Sequence, residues 1–179
     1  ERFRVRQTDE RRRHVGGNRF RDVSDVAGPG LQLSGVSRGA AFGDVDNDGD
    51  VDILVTTNGG PARLLLNELP PASHWLEVRL QGTADNRDGL GARVGLRMKG
   101  GRTLWRRAHT DGSYLSASDP RVHFGLADAA SVDAVVVEWP RGGLETWSVP
   151  GVNRIVSLRQ GSGRAIPDGM AGRHSERHY

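Results

Sequence analysis

The 179-residue chain is long enough for one or two small domains and has no apolar run long enough to span a membrane. Because it has no cysteine, disulfides, thiolate metal sites and cysteine nucleophiles are excluded. The formal net charge is only +3, and the arginines of residues 1–21 alternate with acidic residues, so we predict no nucleic-acid partner.

The first predicted unit, residues 1–70, alternates short strands with turns. Apolar residues in Ala40–Phe42 and Val51–Val55 predict two strands on either side of an acidic segment, and Arg63–Leu66 predicts a third. The segment Leu69-Pro-Pro-Ala-Ser73 ends the unit, since two prolines in series can neither donate to a sheet nor continue a helix.

The acidic segment Asp44-Val-Asp-Asn-Asp-Gly-Asp-Val-Asp52 (the acidic loop, residues 44–52) has the spacing of a calcium-binding loop. Ca²⁺ takes about six to eight oxygen ligands, and carboxylates at alternate positions can converge on it where a glycine allows a sharp turn. An EF-hand is excluded because its twelfth position is Val55 and its flanks are predicted strands. The predicted metal ligands are Asp44, Asp46, Asp48, Asp50 and Asp52.

The second predicted unit, residues 71–162, shows a cleaner alternation of apolar and polar residues. Leu76, Val78 and Leu80 face one way, whereas Glu77 and Arg79 face the other. Further half-buried antiparallel strands are predicted over 92–98, 103–109, 122–126, 132–139, 145–149 and 154–159, with hairpin turns at Gly100-Gly101, Asp111-Gly112 and Gly142-Gly143. Such a series predicts a β-sandwich or a barrel-like meander. We expect residues 163–179 to form a flexible tail.

The order of several motifs resembles a known family. Phe42-Gly43, the acidic loop and Gly59-Gly-Pro-Ala62 resemble an FG-GAP (VCBS-type) repeat, the calcium-binding blade unit of integrin-type β-propellers. The motifs that follow are Trp75-Leu-Glu-Val-Arg-Leu80, Gly91-Ala-Arg-Val94, Gly112-Ser-Tyr-Leu-Ser116, Val122-His-Phe-Gly-Leu126 and Val137-Glu-Trp-Pro-Arg-Gly142. Over roughly residues 18–160, the chain resembles the C-terminal portion of the cartilage acidic protein family, in which an ASPIC/UnbV domain follows the repeats.

This resemblance implies an all-β fold, with a propeller-type blade followed by a small antiparallel β-sandwich or barrel-like domain. It also implies a secreted protein, extracellular or periplasmic. Because a lone blade cannot bury both of its faces, we expect the chain to be part of a longer protein or to be completed by a neighbouring copy.

The expected function is a non-catalytic, extracellular calcium-binding module for adhesion or for binding a protein or glycan ligand. Two alternatives remain open, a structural subunit completed by a neighbouring chain and a polysaccharide-binding accessory domain of an enzyme. Candidate ligand-binding residues are Trp105, Trp147, Asn86, Arg87 and Asp88. The ordinary interpretations of these residues are core packing for the tryptophans and a hairpin turn for residues 86–88.

Residues of the types used in nucleophilic catalysis are also present, namely His109, Asp111, Ser113, Ser116 and His123. The glycine elbow that exposes a hydrolase serine is missing, because the sequence around Ser113 is not Gly-x-Ser-x-Gly. We therefore expect no enzymatic activity.

Overall fold

The computed structural model describes residues 7–8, 11–26, 28–68 and 73–167, which are almost entirely β-strands and turns. The strands are β1 (Gln7–Thr8), β2 (Arg12–His14), β3 (Phe20–Asp22), β4 (Ser34–Gly35), β5 (Ser37–Gly43), β6 (Asp52–Thr57), β7 (Arg63–Leu65), β8 (His74–Gln81), β9 (Arg93–Met98), β10 (Thr103–Arg107), β11 (Val122–Ala127), β12 (Val132–Glu138), β13 (Leu144–Trp147), β14 (Arg154–Arg159) and β15 (Arg164–Ile166). Two short 3-10 turns, Ser24–Val26 and Pro29–Gln32, are the helical segments of this described part. Neither is long and apolar enough to cross a membrane.

From β8 onward the chain folds into two facing sheets, referred to below as the sandwich. One sheet has the order β10-β9-β12-β13-β15, and the other has the order β11-β8-β14. Leu76 and Val78 of β8 and Val94 and Leu96 of β9 have no exposed surface and belong to the core between the sheets. The apolar faces predicted for these two strands are therefore confirmed, and neither sheet closes into a barrel.

Two features of the sandwich, one strand pairing and one turn, differ from the expected antiparallel meander. Strand β14 pairs with β8 in parallel, after the chain has returned from the five-stranded sheet to the three-stranded one. The turn predicted at Asp111-Gly112 is not a hairpin, since β10 and β11 belong to different sheets. The other two predicted turns, Gly100-Gly101 and Gly142-Gly143, do join paired strands.

The prediction of a flexible tail from Gly163 onward is wrong for the first residues of that segment. Arg164–Ile166 forms β15, which pairs with β13 at the edge of the five-stranded sheet. The buried carboxylate of Glu145 on β13 holds this edge, because it accepts hydrogen bonds from the backbone N–H groups of Gly161 and Gly163. The rest of the predicted tail, from residue 168, lies outside the described residues.

The first predicted unit contains a separate antiparallel sheet in the order β5-β6-β7. Its first two strands flank the acidic loop, as predicted, and residues of β5 and β6 pair from Ser37 opposite Thr57 to Gly43 opposite Asp52. This arrangement makes the acidic loop the connection of a β-hairpin.

Candidate metal centre

The acidic loop turns sharply between its two strands. Asn47 and Gly49 have positive φ angles of 63° and 99°. The left-handed region is readily accessible to glycine and is tolerated by asparagine. These two residues lie on either side of Asp48, so the backbone folds back and brings alternate side chains towards one point.

Three of the predicted ligands meet inside this turn. Carboxylate oxygens of Asp44, Asp46 and Asp48 all lie within 4.8 Å of one another. Asp44 is only 1% exposed, and its two oxygens accept hydrogen bonds from the N–H groups of Asp48 (3.1 Å) and Gly49 (2.9 Å). Asp44 therefore shapes the turn and is also one of the three converging carboxylates. Asp46 and Asp48, in contrast, are exposed.

The other two predicted ligands, Asp50 and Asp52, lie outside this group of three. Asp52 is 2% exposed, and its oxygens accept hydrogen bonds from the N–H groups of Val45 (2.9 Å) and Asn67 (2.8 Å). It thus ties the start of the loop to the segment after β7. The sequence spacing identified the loop but did not reveal this structural role of Asp52.

The electrostatics of the loop fit a hard cation. Desolvation, followed by repulsion from Asp48, raises the pKa of Asp46 and also that of Asp50. A cation would relieve this repulsion, and the donor set is made of oxygen alone, which matches Ca²⁺. The carboxylates of Asp44, Asp46 and Asp48 would hold the ion, and its contribution would be structural.

The loop rests on the outer face of the three-stranded sheet of the sandwich. A Cβ atom placed on Gly49 would overlap Cε2 and Nε1 of Trp75, so the indole ring packs directly against the loop backbone. The ring nitrogen Nε2 of His123 lies 2.8 Å from the carbonyl oxygen of Gly49. Strands β8 and β11 each contribute one ring to this contact.

Arg121, just before β11, connects the loop to the sandwich. Its guanidinium donates to the carbonyl oxygen of Asp44 and to Oδ1 of Asn47 (2.7 Å). On the other side it donates from Nε to Asp119 (2.7 Å), and its Nη1 lies 2.9 Å from Oε2 of Glu77. One side chain thus joins the backbone of the loop to two carboxylates of the sandwich.

Glu77 is the residue whose environment differs most from expectation. Alternation placed it on the polar face of β8, and it does lie on that face, but the loop covers it and leaves it 2% exposed. Burial raises the pKa of Glu77 to about 7, with repulsion from Asp44 and Asp119 adding to the effect and Arg121 opposing it. No local pattern indicates this burial, because the covering residues are distant in sequence.

Replacing Glu77 with glutamine is expected to change the pH dependence of stability. The folded chain retains the Glu77 proton up to about pH 7, whereas the unfolded chain releases it near the ordinary value of 4.5. The free energy of unfolding therefore falls as pH rises through this window. At pH 8, Glu77→Gln should be more stable than the wild type by about 2–3 kcal/mol, and at pH 4 the two should be equal.

Urea unfolding of both proteins with chelator present, at several pH values from 4 to 8, measures this difference. If Glu77→Gln were less stable than the wild type at pH 8, the ion pair with Arg121 would outweigh the burial cost of the Glu77 charge.

The comparison with protein families assigns the second part of the chain. Residues 82–165 match the family model described as ASPIC and UnbV. This region is an ASPIC/UnbV domain. It runs from the turn after β8 into β15, and domains of this type are found in extracellular or adhesion-like proteins. No curated protein matches the chain.

The candidate ligand-binding tryptophans lie on opposite faces of the ASPIC/UnbV five-stranded sheet, since they align with adjacent residues of β12. Trp105 lies across Gly95, with the guanidinium of Arg93 5.0 Å from its ring centroid. Trp147 packs against the core, and a Cβ atom on Gly163 would lie 2.6 Å from its ring. The two rings therefore do not share one binding surface.

The candidate segment Asn86–Asp88 forms the turn after β8. The side chain of Asn86 accepts a hydrogen bond from the N–H of Leu90 (2.7 Å) and donates to its carbonyl (2.8 Å). Arg87 and Asp88 form an exposed ion pair with each other at 3.1 Å. Asn86 thus acts as a turn residue, while the two charged side chains face solvent.

The histidines and serines considered for catalysis lie in separate contacts. The contacts are His109 to Asp111, Ser113 to Ala40, Ser116 to Tyr114 and His123 to Gly49. No hydrogen bond joins a serine to a histidine among these residues within the described part of the chain. Ser113 accepts from the N–H of Ala40 at 3.1 Å, so it helps to attach β5 to the ASPIC/UnbV domain.

Proposed function

We propose that this chain is a non-catalytic calcium-binding module of an extracellular or periplasmic protein, with a protein or glycan ligand outside the cell. The observation that carries the proposal is the convergence of Asp44, Asp46 and Asp48 in a loop that offers only oxygen ligands. The order of the loop before an ASPIC/UnbV domain supports assignment to the C-terminal portion of the cartilage acidic protein family, with the loop on an FG-GAP-type blade.

Calcium binding is expected to stabilise the chain. A ligand that binds only the folded state at about 100 times its Kd adds about 2.7 kcal/mol, which raises Tm by about 5–10 °C for a chain of this size. Thermal unfolding followed by circular dichroism, in CaCl2 and then in excess EGTA, measures the shift. A matched titration with MgCl2 should give a smaller one, because Mg²⁺ prefers few protein ligands.

The Asp46→Asn variant locates the ion. Asp46 is exposed, and the buried Asp44 and Asp52 keep their hydrogen bonds to the loop backbone, so the variant should fold and lose most of the calcium-induced shift. If the Tm of the wild type were the same in CaCl2 and in EGTA, the calcium-binding assignment would be wrong. If Asp46→Asn kept the full shift, the ion would bind elsewhere.

An exposed apolar face supports a second candidate function, a structural subunit completed by a neighbouring chain. Leu54 and Leu64 are opposite each other on β6 and β7, and they are 41% and 47% exposed. Apolar residues side by side on a sheet are typical of a face that packs on another surface. Sedimentation at increasing protein concentration separates this role from that of a monomeric module.

A further inference from the structure

We infer that Arg121 is a positioning residue for the calcium site, so that the ASPIC/UnbV domain sets the calcium affinity of a loop that precedes it in the chain. The inference rests on the proposed calcium-binding function. Its basis is that Arg121 lies within the matched domain, whereas the acidic loop lies before it. A site formed by the loop alone would need no residue so distant in sequence.

Arg121 holds the loop at two points that bracket its first ligands. The guanidinium donates to the carbonyl oxygen of Asp44, the first aspartate of the group, and to Oδ1 of Asn47. Asn47 lies between Asp46 and Asp48 and has a φ of 63°, a conformation that its side-chain contact helps to maintain. The two contacts therefore fix the curvature over which the three carboxylates converge.

The guanidinium is itself fixed from the side of the sandwich. Asp119 accepts from Nε at 2.7 Å and also from the backbone N–H of Arg121 at 2.8 Å. Glu77 approaches Nη1, and the Arg121 side chain is only 14% exposed. Asp119 in turn donates its N–H to the carbonyl oxygen of Phe42 on β5 (2.8 Å), two residues before the loop. Arg121 is therefore a rigid support and not a mobile surface arginine.

Two effects of removing this support have opposite signs. Losing the contacts frees the loop, and the loss of a residue that orients metal ligands typically weakens metal affinity by about 10–100-fold. Losing the positive charge leaves Asp119 and Glu77 without their cation, which would strengthen the attraction for Ca²⁺. A variant that loses the contacts but keeps the charge therefore separates positioning from long-range electrostatics.

Two variants test the contacts without removing the charge. Arg121→Lys keeps the charge, but a single ammonium cannot reproduce the fork that reaches several acceptors at once. Asn47→Gly removes one acceptor and suits the left-handed backbone. The control is Arg79→Lys, since Arg79 is an exposed arginine that lines the same groove as Asn47, Asp119 and Arg121.

Calorimetric titration of the full chain with CaCl2, well below Tm, gives Kd for each protein. We expect Kd to rise about tenfold or more in Arg121→Lys and in Asn47→Gly, and to change less than twofold in Arg79→Lys. If the wild type and both variants had equal Kd values, even with a lower Tm in EGTA, Arg121 would be only a structural residue. The inference would then be wrong, while the proposed function would still stand. Absence of both a heat of binding and a calcium-induced Tm shift in the wild type would overturn the proposed function as well.

Discussion

Gly49→Ala is expected to lower the free energy of unfolding by about 3 kcal/mol, because the added methyl group both strains the backbone and overlaps a neighbouring side chain. The first is the backbone, since φ at Gly49 is 99°, a region that L-residues with a side chain rarely adopt. The second is space, since the new Cβ would overlap the indole ring of Trp75. Overpacking of this kind costs about 1–3 kcal/mol in addition to the backbone strain.

Neither side of this contact can move freely. The N–H of Trp75 donates to the side-chain oxygen of Asn153 at 3.1 Å. The carbonyl oxygen of Trp75 accepts from the N–H of Asn153 at 2.7 Å. On the other side, the N–H of Gly49 donates to Asp44 and its carbonyl oxygen lies against His123. The substitution should therefore lift the loop off the sandwich and weaken calcium binding together with stability.

Gly142→Ala is the matched control for Gly49→Ala. Gly142 has a similar φ of 92° and lies in the β12–β13 hairpin, but nothing lies within 4 Å of a Cβ placed there. Its cost should be that of the backbone alone, about 1 kcal/mol. Urea unfolding followed by tryptophan fluorescence compares the two variants. Equal losses in both would mean that the loop does not pack on Trp75.

Strands β8 and β9 of the sandwich were predictable because the core buries one face of each. In β8 and β9, every second residue contacts the core, so the apolar pattern in the sequence directly reports the face that is buried. Strand β15 lacks such a pattern, because Arg164–Ile166 lies at a sheet edge and is held by backbone pairing with β13. The parallel pairing of β14 was equally invisible, since alternation gives the face of a strand but not its direction.

The acidic loop was predictable in part for a different reason. Local spacing decides which carboxylates of one loop can converge, so the meeting of Asp44, Asp46 and Asp48 could be predicted from their positions alone. The contacts of Arg121 and Glu77 with each other and with the loop join segments far apart in the sequence. Alternation predicts that Glu77 leaves the core, but it cannot show which segment covers the opposite face.

Glu145→Gln is expected to cost about 3 kcal/mol, although the two side chains have nearly the same size. Glu145 is 8% exposed, and the hydrogen-bond partners of its carboxylate are all donors. Oε1 accepts from the indole N–H of Trp139 at 2.7 Å, and Oε2 accepts from the N–H of Gly163 at 2.9 Å, while the N–H of Gly161 points at both oxygens. Hydrogen bonds to a charged acceptor contribute about 1.5–3 kcal/mol each.

Glutamine at position 145 cannot satisfy these donors, because one of its two terminal groups is an NH2 that would face an indole or backbone N–H. Losing the hold on Gly161 and Gly163 should also release β15 from β13, so amide hydrogen exchange over residues 164–166 should accelerate. The control is Glu138→Gln on β12, whose exposed pair with Arg93 at 3.1 Å should cost less than about 0.5 kcal/mol. If urea unfolding gave the same loss for both variants, the stability of this edge would come from packing of Trp139 and Trp147, and the buried carboxylate would be dispensable.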